Sequence, residues 1–584
     1  MDNRYVWAIE DIYKDETEWE NDRKKAEEMI PSLSEYKGKL FDAENFAAYM
    51  KRQESIARII DKLYVYAMML HDSDTANSNY DSLLGKAMAL SVSFSSATSF
   101  DTPELTALPE ETINGFIKNE KLKDYDYQLK LLRKRKKQVL TEGEEKILAE
   151  CGETFSSFKE IFTKIDNADL PLKTFKYKGQ EMELSHGLYS VYMQSEDRAL
   201  RKKCFTEYYK AYVSLINVIS ATYYGNVKKN VLVAKTRKYN STLEMALSGE
   251  DVNPVVYKNL IKSVNKSLPL LHRYMREKKK ALGLKSAHMY DVYVPTVKGA
   301  DLKLDYDKAY ELVMEGLSPL GKDYVELLKK AYDERWLDVN EKKGKRSGAY
   351  SVAVFDTHPY VLLNYQKTTH DVFTIAHEMG HSIHSYYSNK AQPYFKADYK
   401  IFVAEVASTV NEVLLLKHLL KTAKDDALKK YLLSYLMEMI RTTLFRQTQF
   451  AEFEEYSHGS VEKGEPLTTE NMNAKYLELN KKYYGRGIIS DNEIQYEWAR
   501  IPHFYSAFYV YKYATGIISA LAIADRILKD GETAVNDYKK FLSSGGSDSP
   551  VELLKIAGVD LTKKEPFDAA FLTFKNALDE FSKL

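Results

Sequence analysis

Apolar residues recur every three or four positions through most of the chain, which is the spacing of amphipathic helices. Residues 40–74, LFDAENFAAYMKRQESIARIIDKLYVYAMMLHDSD, keep this spacing over many turns. A further helix is expected to start at Pro109, where two acidic residues follow the proline. Helical patterns resume from about Asp197, break at 339–365, and continue from the following histidine-rich helix to residue 584 with two short interruptions. The pattern therefore predicts a mainly α fold.

Two short stretches show the alternation typical of β-hairpins. Residues 173–184, KTFKYKGQEMEL, carry a central Lys178-Gly179 turn. Residues 349–355, AYSVAVF, and 360–365, YVLLNY, are joined by DTHP. An exposed strand edge binds an extended peptide through backbone hydrogen bonds that read no side chain. The second hairpin is therefore a candidate substrate surface, with Tyr360 as a candidate substrate contact.

The change of pattern near residues 173–184 marks a predicted domain boundary. It separates an N-terminal helical lobe, residues 1–185, from a larger catalytic domain, residues 186–584. Polar or glycine-containing breaks follow at 339–348, 481–493 and 543–550. The break at 481–493 contains YYGRGIIS, a segment suited to folding over a bound peptide.

Composition narrows the class of protein. The 584 residues include 84 Lys and Arg against 84 Asp and Glu, so charge favours neither nucleic acid nor an anionic membrane as a partner. Only 25 Gly and 14 Pro interrupt the chain, which favours long helices. Two isolated cysteines exclude a zinc knuckle and a disulfide framework. Without a signal-like or membrane-spanning apolar run, the expected location is cytoplasmic.

The segment 370–388, HDVFTIAHEMGHSIHSYYS, holds four of the 12 histidines and contains an H-E-x-x-H sequence. On a helix, His377 and His381 lie on one face about 6 Å apart, so both imidazoles reach one metal ion. Glu378 is turned about 100° from His377 and lies beside the ion without binding it. This pattern predicts a zinc site in which Glu378 is the general base for a zinc-bound water.

Such a site needs a third protein ligand. His384 lies about 10.5 Å along the helix axis from His377, too far to share one ion. Glu405, on the next predicted helix, has apolar neighbours, and a carboxylate in such surroundings requires a partner or a metal. Glu412 lies on the same face and is the alternative. We favour Glu405 as the ligand and Glu412 as a supporting group behind it.

These segments together resemble a known family. HEMGH, FVAEVAS with its acid, HPYVLLNYQ before them, and RIPHFYSAFYVYKYATG and SGGSDSPVELLKIAGVDL after them are similar to oligoendopeptidase F. That group belongs to the thimet-oligopeptidase-like zinc metallopeptidases. The resemblance covers most of the chain and is strongest from about residue 340 to 560. It implies an oligopeptidase-type N-terminal domain at about 113–185.

The resemblance implies a large helical, clam-like body with a deep channel, and zinc at its floor beside a small sheet. It implies one zinc ion per chain, held by His377, His381 and Glu405, with Glu378 as base. It also implies that one downstream segment supplies a histidine and tyrosine hydroxyls to the transition state. The matching residues are His503 and one or more of Tyr509, Tyr511 and Tyr513, the last also a candidate substrate contact.

The expected function is zinc-dependent endopeptidase cleavage of short, unstructured oligopeptides by a monomer or weak homo-oligomer. A zinc carboxypeptidase or dipeptidyl carboxypeptidase is the alternative. It requires a cationic clamp for the terminal carboxylate of the substrate, for which Arg441, Arg446 and Arg500 are candidates. A third possibility is a non-catalytic peptide-binding protein with a structural metal. Glu378 argues against that possibility because a structural site needs no base.

Overall fold

The computed structural model describes residues 3–297 and 302–584, apart from the side chain of Glu142. Helices make up 73% of the structure, and the strands form two small sheets, which confirms the mainly α prediction. The chain packs as two compact units that are each discontinuous in sequence. The first contains Met1–Lys137, Asp301–Leu419 and Ile523–Val559, and the second contains Gln138–Ala300, Leu420–Ala522 and Asp560–Leu584.

The first unit contains long helices around one small sheet. Its helices are α1 (Glu16–Met29), α2 (Ala43–Ser73), α3 (Ser78–Thr98), α4 (Asp101–Ala107), α5 (Glu110–Lys118), α6 (Asp126–Arg135), α14 (Tyr306–Gly316), α15 (Lys322–Asp333), α16 (Thr369–Ala391), α17 (Tyr394–Ala397), most of α18 (Ile401–Thr422), the end of α22 (Tyr511–Asp530), α23 (Glu532–Leu542) and α24 (Pro550–Ile556).

The second unit contains the remaining helices and a two-stranded hairpin. Its helices are α7 (Glu142–Glu150), α8 (Gly152–Lys164), α9 (His186–Met193), α10 (Arg198–Ser214), α11 (Ile216–Thr236), α12 (Thr242–Ser248), α13 (Pro254–Ala281), α19 (Asp426–Ile440), α20 (Arg446–Glu462), α21 (Thr469–Tyr484), the start of α22 and α25 (Glu565–Phe581).

Both predicted hairpins are present. In the second unit, β1 (Phe175–Tyr177) pairs antiparallel with β2 (Gln180–Met182). Their turn places Lys178 at φ 50° and Gly179 at φ 80°, the left-handed pair typical of tight hairpins. In the first unit, β4 (Tyr350–Val352) pairs antiparallel with β5 (Tyr360–Leu362). A short strand that the sequence pattern did not indicate, β3 (Leu337–Asp338), pairs parallel with β5.

The sheet of the first unit lies directly against α16, the helix that carries the H-E-x-x-H sequence. The sheet order is β3-β5-β4, which leaves β4 at an edge. The Ser351 hydroxyl on β4 and the Ser382 hydroxyl on α16 are 2.8 Å apart. This contact ties the edge strand to the helix one residue beyond His381.

The start of α16 is fixed by a capping box. Thr368 is the N-cap, its Oγ1 accepts the N–H of Asp371 at 3.2 Å, and the Asp371 carboxylate accepts the N–H of Thr368 at 2.9 Å. These reciprocal bonds satisfy backbone donors that a helix N-terminus otherwise leaves free. The capping box therefore fixes the residue at which α16 begins.

The predicted domain boundary between residues 1–185 and 186–584 stays a prediction. The two packed units both combine segments from either side of that residue. In the described residues, none of the helices has the length and apolar character needed to span a bilayer.

Candidate metal centre

The candidate metal centre lies on one half-buried face of α16. The apolar residues around the histidines are buried with at most 1% exposure, namely Val372, Phe373, Ile375, Ala376 and Ile383. The side chains of His377 and His381 keep 28% and 18% exposure. The helix is therefore anchored by its apolar faces and presents two imidazoles on the remaining one.

Helix α18 passes close to the backbone of α16 at Gly380, inside the H-E-x-x-H sequence. A Cβ at this position would lie 2.5 Å from the Cα of Ser408 and 2.7 Å from the carbonyl oxygen of Ala407. Both atoms belong to the α18 backbone, so a side chain could not be accommodated by a rotamer change. The absent side chain lets α18 pass close enough to bring its own carboxylates to the histidines.

A buried amide locks the two helices in register. Asn411 of α18 is fully buried, and its side chain donates to the carbonyl of Ala376 on α16 at 3.0 Å. The Asn411 carbonyl oxygen accepts the hydroxyl of Tyr324 from α15, also at 3.0 Å. Satisfied buried polar groups of this kind fix one arrangement, because any sliding leaves them unpaired.

Three side-chain atoms converge between these helices. The Nε2 atoms of His377 and His381 are 3.3 Å apart. Oε2 of Glu405 lies 3.3 Å from the first and 3.5 Å from the second. Two ligands held about 2.0–2.1 Å from one tetrahedral ion are about 3.3–3.4 Å apart. The three atoms therefore already have the separations that a single zinc-sized ion requires.

Glu412 contacts the opposite side of His377. Its Oε1 is 2.5 Å from Nδ1 of the imidazole. A carboxylate at Nδ1 holds a proton there, which leaves Nε2, on the side of His381 and Glu405, as the nitrogen that would bind a metal ion. Burial alone lowers the pKa of His377, but hydrogen bonds to Glu405 and Glu412 raise it well above its usual value. The two carboxylates therefore favour a positive charge at this position, whether it is carried by a proton or by a metal ion.

The arrangement distinguishes the two candidate acids. Glu405 faces both Nε2 atoms, and Glu412, seven residues later on α18, faces the other ring nitrogen of one histidine. The same histidines hold the pKa of Glu405 well below its usual value, although burial alone raises it. A carboxylate that stays ionised in this setting is suited to binding a cation.

Glu378 lies on α16 beside the converging atoms. It is 7% exposed, and burial raises the pKa of its carboxyl, opposed by the two histidines. The charges of Glu405 and Glu412 raise it further. A carboxylate with a raised pKa next to a metal site is suited to accepting a proton from water.

His384 does not face the three converging atoms. It is 1% exposed, and its ring stacks on Tyr399 at 3.7 Å between centroids and 7° between planes. Burial lowers the pKa of this imidazole to about 3. His384 is therefore a neutral packing residue, in agreement with the axial-distance argument.

The downstream candidates belong to the second unit, where three of them form a cluster. We call His503, Tyr509 and Tyr513 the His503 cluster: their ring centroids are 5.6–6.0 Å apart, and the Tyr513 hydroxyl is 3.4 Å from Nε2 of His503. Tyr511 lies outside it, 1% exposed, with its ring 5.3 Å from that of Tyr257. Their roles in catalysis stay predictions.

Tyr360 is in the core of the first unit. It has 0% exposure and packs against His358 at 4.3 Å between ring centroids. A contact between this side chain and a peptide would require a rearrangement of the core. The backbone of the neighbouring strand β4, which is half-buried, is the more accessible surface. A substrate role for Tyr360 stays a prediction that this burial does not support.

The three arginines considered as a carboxylate clamp are each paired with a glutamate in the second unit. Arg441 has 0% exposure and donates twice to Glu438, at 2.7 and 2.9 Å. Arg446 and Arg500 both donate to Oε1 of Glu497, at 2.7 and 3.2 Å. Their charge is already engaged, which weighs against a clamp for a substrate carboxylate.

Two histidines of an H-E-x-x-H helix and a glutamate of a neighbouring helix, converging within a helical body, are typical of metal-dependent peptidases. Comparison with known proteins agrees. The family described as Peptidase family M3 matches residues 191–573, and the one described as Oligopeptidase F matches residues 104–171. The chain belongs to peptidase family M3, and it is a metalloendopeptidase.

Two curated relatives span the whole chain. Oligopeptidase PepF of Bacillus subtilis is 43% identical over 99% of this chain and 87% of its own length. An oligoendopeptidase F homolog of Lactococcus lactis is 40% identical over 100% of this chain and 97% of its own length. Because both alignments are nearly complete, the predicted resemblance to oligoendopeptidase F is confirmed.

Solved structures show the same fold. A crystal structure from Chlamydophila abortus matches with a TM-score of 0.95 at 38% identity, over 100% of this chain and 98% of the other. Oligoendopeptidase-F from Enterococcus faecium matches with a TM-score of 0.74 at 34% identity, over 97% and 99% of the two chains.

Sequence reasoning missed the residues that bring the two helices together. Gly380 is visible in HEMGH as the one glycine inside an otherwise continuous helix, which signals close approach of another backbone. Asn411 is visible as an amide in the apolar run VASTVNEVLLL, where a buried polar group needs partners. Tyr324 carries no comparable signal, since it is one of 45 tyrosines and nothing in its local sequence sets it apart.

We expect Gly380→Ala to destabilise the first unit and weaken metal binding, because the added Cβ pushes α18 away from α16. Overpacking of this kind costs about 1–3 kcal/mol. Gly85→Ala in α3 is the matched control, since a Cβ there meets nothing within 4 Å. It should be neutral or stabilising. Chemical unfolding and metal titration of both variants measure the effect, and equal behaviour would refute the close-packing account.

Proposed function

We propose that this protein is a zinc-dependent endopeptidase for short, unstructured oligopeptides. The observation that carries the proposal is the convergence of two imidazole Nε2 atoms and one carboxylate oxygen at 3.3–3.5 Å from one another. Nitrogen and oxygen donors in this number and spacing suit zinc with an open coordination position. His377, His381 and Glu405 would hold the ion.

A bound zinc ion would supply Lewis acidity, which lowers the pKa of water and polarises a carbonyl. The protein groups perform the proton transfers. Glu378 accepts a proton from the attacking water while the water oxygen adds to the scissile carbonyl carbon. It then delivers that proton to the amide nitrogen as the C–N bond breaks. Glu412 keeps His377 in the tautomer that leaves Nε2 free.

The His503 cluster is suited to stabilising negative charge that develops on the substrate. Burial, with the charges of Arg446 and Lys159, lowers the pKa of His503, so its ring is neutral at pH 7. A neutral imidazole N–H and tyrosine hydroxyls are donors to an oxyanion, each contributing about 3 kcal/mol when preorganised. We infer this role from the resemblance to oligoendopeptidase F and from the accessibility of the cluster.

Edge strand β4 is the proposed surface for the substrate backbone. It lies at one edge of the β3-β5-β4 sheet and is tied to α16 through Ser351 and Ser382. Hydrogen bonding to a strand edge reads the peptide backbone and places few demands on side chains. Such binding favours extended peptides of varied sequence.

Internal cleavage is favoured over terminal cleavage because the candidate clamp arginines are engaged by glutamates. A role as a non-catalytic binding protein is disfavoured by Glu378, which has the position and raised pKa of a base. A cytoplasmic location and a monomeric or weakly oligomeric state stay predictions.

We expect the purified protein to contain close to one zinc ion per chain and to lose peptide cleavage when a strong chelator removes it. The reason is that three protein ligands leave the fourth position open for chemistry. Elemental analysis and cleavage of a blocked peptide, followed by mass spectrometry, measure both quantities. Full activity in a metal-free preparation would refute the proposal, and restored activity on adding zinc is the control.

Substitution of the glutamates should separate base from ligand. Glu378→Gln should keep zinc and lose most turnover, because it removes proton transfer but no ligand. Glu405→Gln should lose zinc as well, and Glu412→Gln should weaken zinc binding by about 10–100-fold without abolishing it. Zinc content and kcat of the three variants decide the roles. Equal metal retention in the Glu378 and Glu405 variants would contradict the assignment.

A cleavable sequence should be cut when it is presented as a free peptide and resist when it is presented inside a stable folded domain. Binding along β4 requires an extended backbone, and unfolding a domain costs about 5–15 kcal/mol. The comparison uses one sequence in both forms at equal concentration. A destabilised variant of the same domain is the control and should be cut faster. Equal rates on the stable domain and the peptide would contradict the proposed substrate class.

A further inference from the structure

A buried glutamate in the second unit is bonded to the backbone of Phe508, next to Tyr509 of the His503 cluster, and has no part in the chemistry described so far. Glu454 of α20 has 0% exposure. Its Oε1 accepts the backbone N–H of Phe508 at 2.8 Å, whereas its Oε2 has no hydrogen-bond partner among the described residues. A buried carboxyl with an unpaired oxygen is costly, so a packing role alone does not account for it.

The backbone that Glu454 holds is itself unusual. Phe508 has φ 53°, the left-handed region that bulky residues rarely adopt. Its side chain is 2% exposed, and its ring lies 4.7 Å from that of His458 and 5.8 Å from that of Tyr257. The turn is therefore held at two points, by its ring in the core and by its N–H on Glu454.

The segment 506–510 contains Phe508 and is called the Phe508 turn; it joins the parts of the His503 cluster. It lies between the short helix Pro502–Tyr505, which carries His503, and α22, which carries Tyr513. Tyr509 directly follows Phe508 within it. Relaxing this φ angle would swing one side of the turn relative to the other. The ring separations of 5.6–6.0 Å within the cluster therefore depend on this turn.

We propose that Glu454 is a positioning residue of the peptidase, which sets the geometry of the His503 cluster by holding the Phe508 turn. This inference rests on the proposed function, in which the cluster acts on the substrate. Burial raises the pKa of Glu454 to about 8, opposed by the Phe508 N–H and the charge of Lys512. Burial thus favours the neutral carboxyl, and the oxygen of an amide accepts the Phe508 N–H in the same way.

Two substitutions of similar volume test the role. Glu454→Gln keeps an acceptor for the Phe508 N–H, and Glu454→Met fills the same space without one. We expect kcat of the Gln variant to stay within about twofold of the parent, and kcat of the Met variant to fall about tenfold or more with little change in KM. Zinc content should be unchanged in both. Glu455→Gln, an exposed neighbour on the same helix, is the control.

Hydrogen exchange of the Phe508 amide gives a readout independent of activity. Exchange should be about tenfold faster in the Met variant and close to the parent rate in the Gln variant, because only the Met variant loses the acceptor. Should the Met variant fail to fold, Glu454→Asp replaces it. Its side chain is one methylene shorter, so the carboxyl no longer reaches the Phe508 N–H and faster exchange is again expected. Slow exchange in the variant without an acceptor would overturn the proposal.

Faster exchange in the Met variant with unchanged kcat would also overturn it, because the turn would then have only a structural role. Failure of the proposed function itself has a different signature. The parent protein would then not cleave peptides at all, while amide exchange would still report whether Glu454 holds the turn.

Discussion

The close approach of α18 to α16 at Gly380 is the contact on which the candidate centre depends. Two histidines on one helix supply two ligands, but the third must come from another element. The glycine allows the backbone of Ser408 to lie where a side chain would otherwise be. Glu405 and Glu412, which flank this contact along α18, then reach opposite nitrogens of His377. A contact between two backbones thus sets the distances between ligand atoms.

Buried polar pairing makes this contact specific. Apolar side chains alone would let α16 and α18 slide or rotate with modest loss, since hydrophobic burial is not directional. The amide of Asn411 accepts from Tyr324 and donates to Ala376, and each bond has one satisfactory register. The capping box at Thr368 fixes the N-terminal end of α16. The hydroxyl contact between Ser351 and Ser382 fixes the side of α16 that faces strand β4. The helix is thereby constrained from three directions.

Local sequence signals were sufficient for the mainly helical pattern, for both hairpins and for part of the centre. The i, i+4 spacing of His377 and His381 specified one face of a helix, and the alternation around Lys178-Gly179 specified a hairpin. Glu405 was inferred from the cost of a carboxylate in apolar surroundings. Interactions distant in sequence were not accessible in this way. Three examples are the pairing of β3 with β5, the contact between Tyr324 and Asn411, and the hydrogen bond that the Phe508 N–H donates to Glu454. In each, nothing in the sequence around one partner indicates the other.

The most direct test of the account is the coordination of the metal in the active protein. Anomalous diffraction at the zinc absorption edge, on crystals shown to cleave peptide, locates the ion and its ligands. The account predicts one zinc ion bound by Nε2 of His377, Nε2 of His381 and a carboxylate oxygen of Glu405, with Glu412 on Nδ1 of His377. An ion bound by Glu412 in place of Glu405, or active crystals without zinc at these histidines, would contradict it.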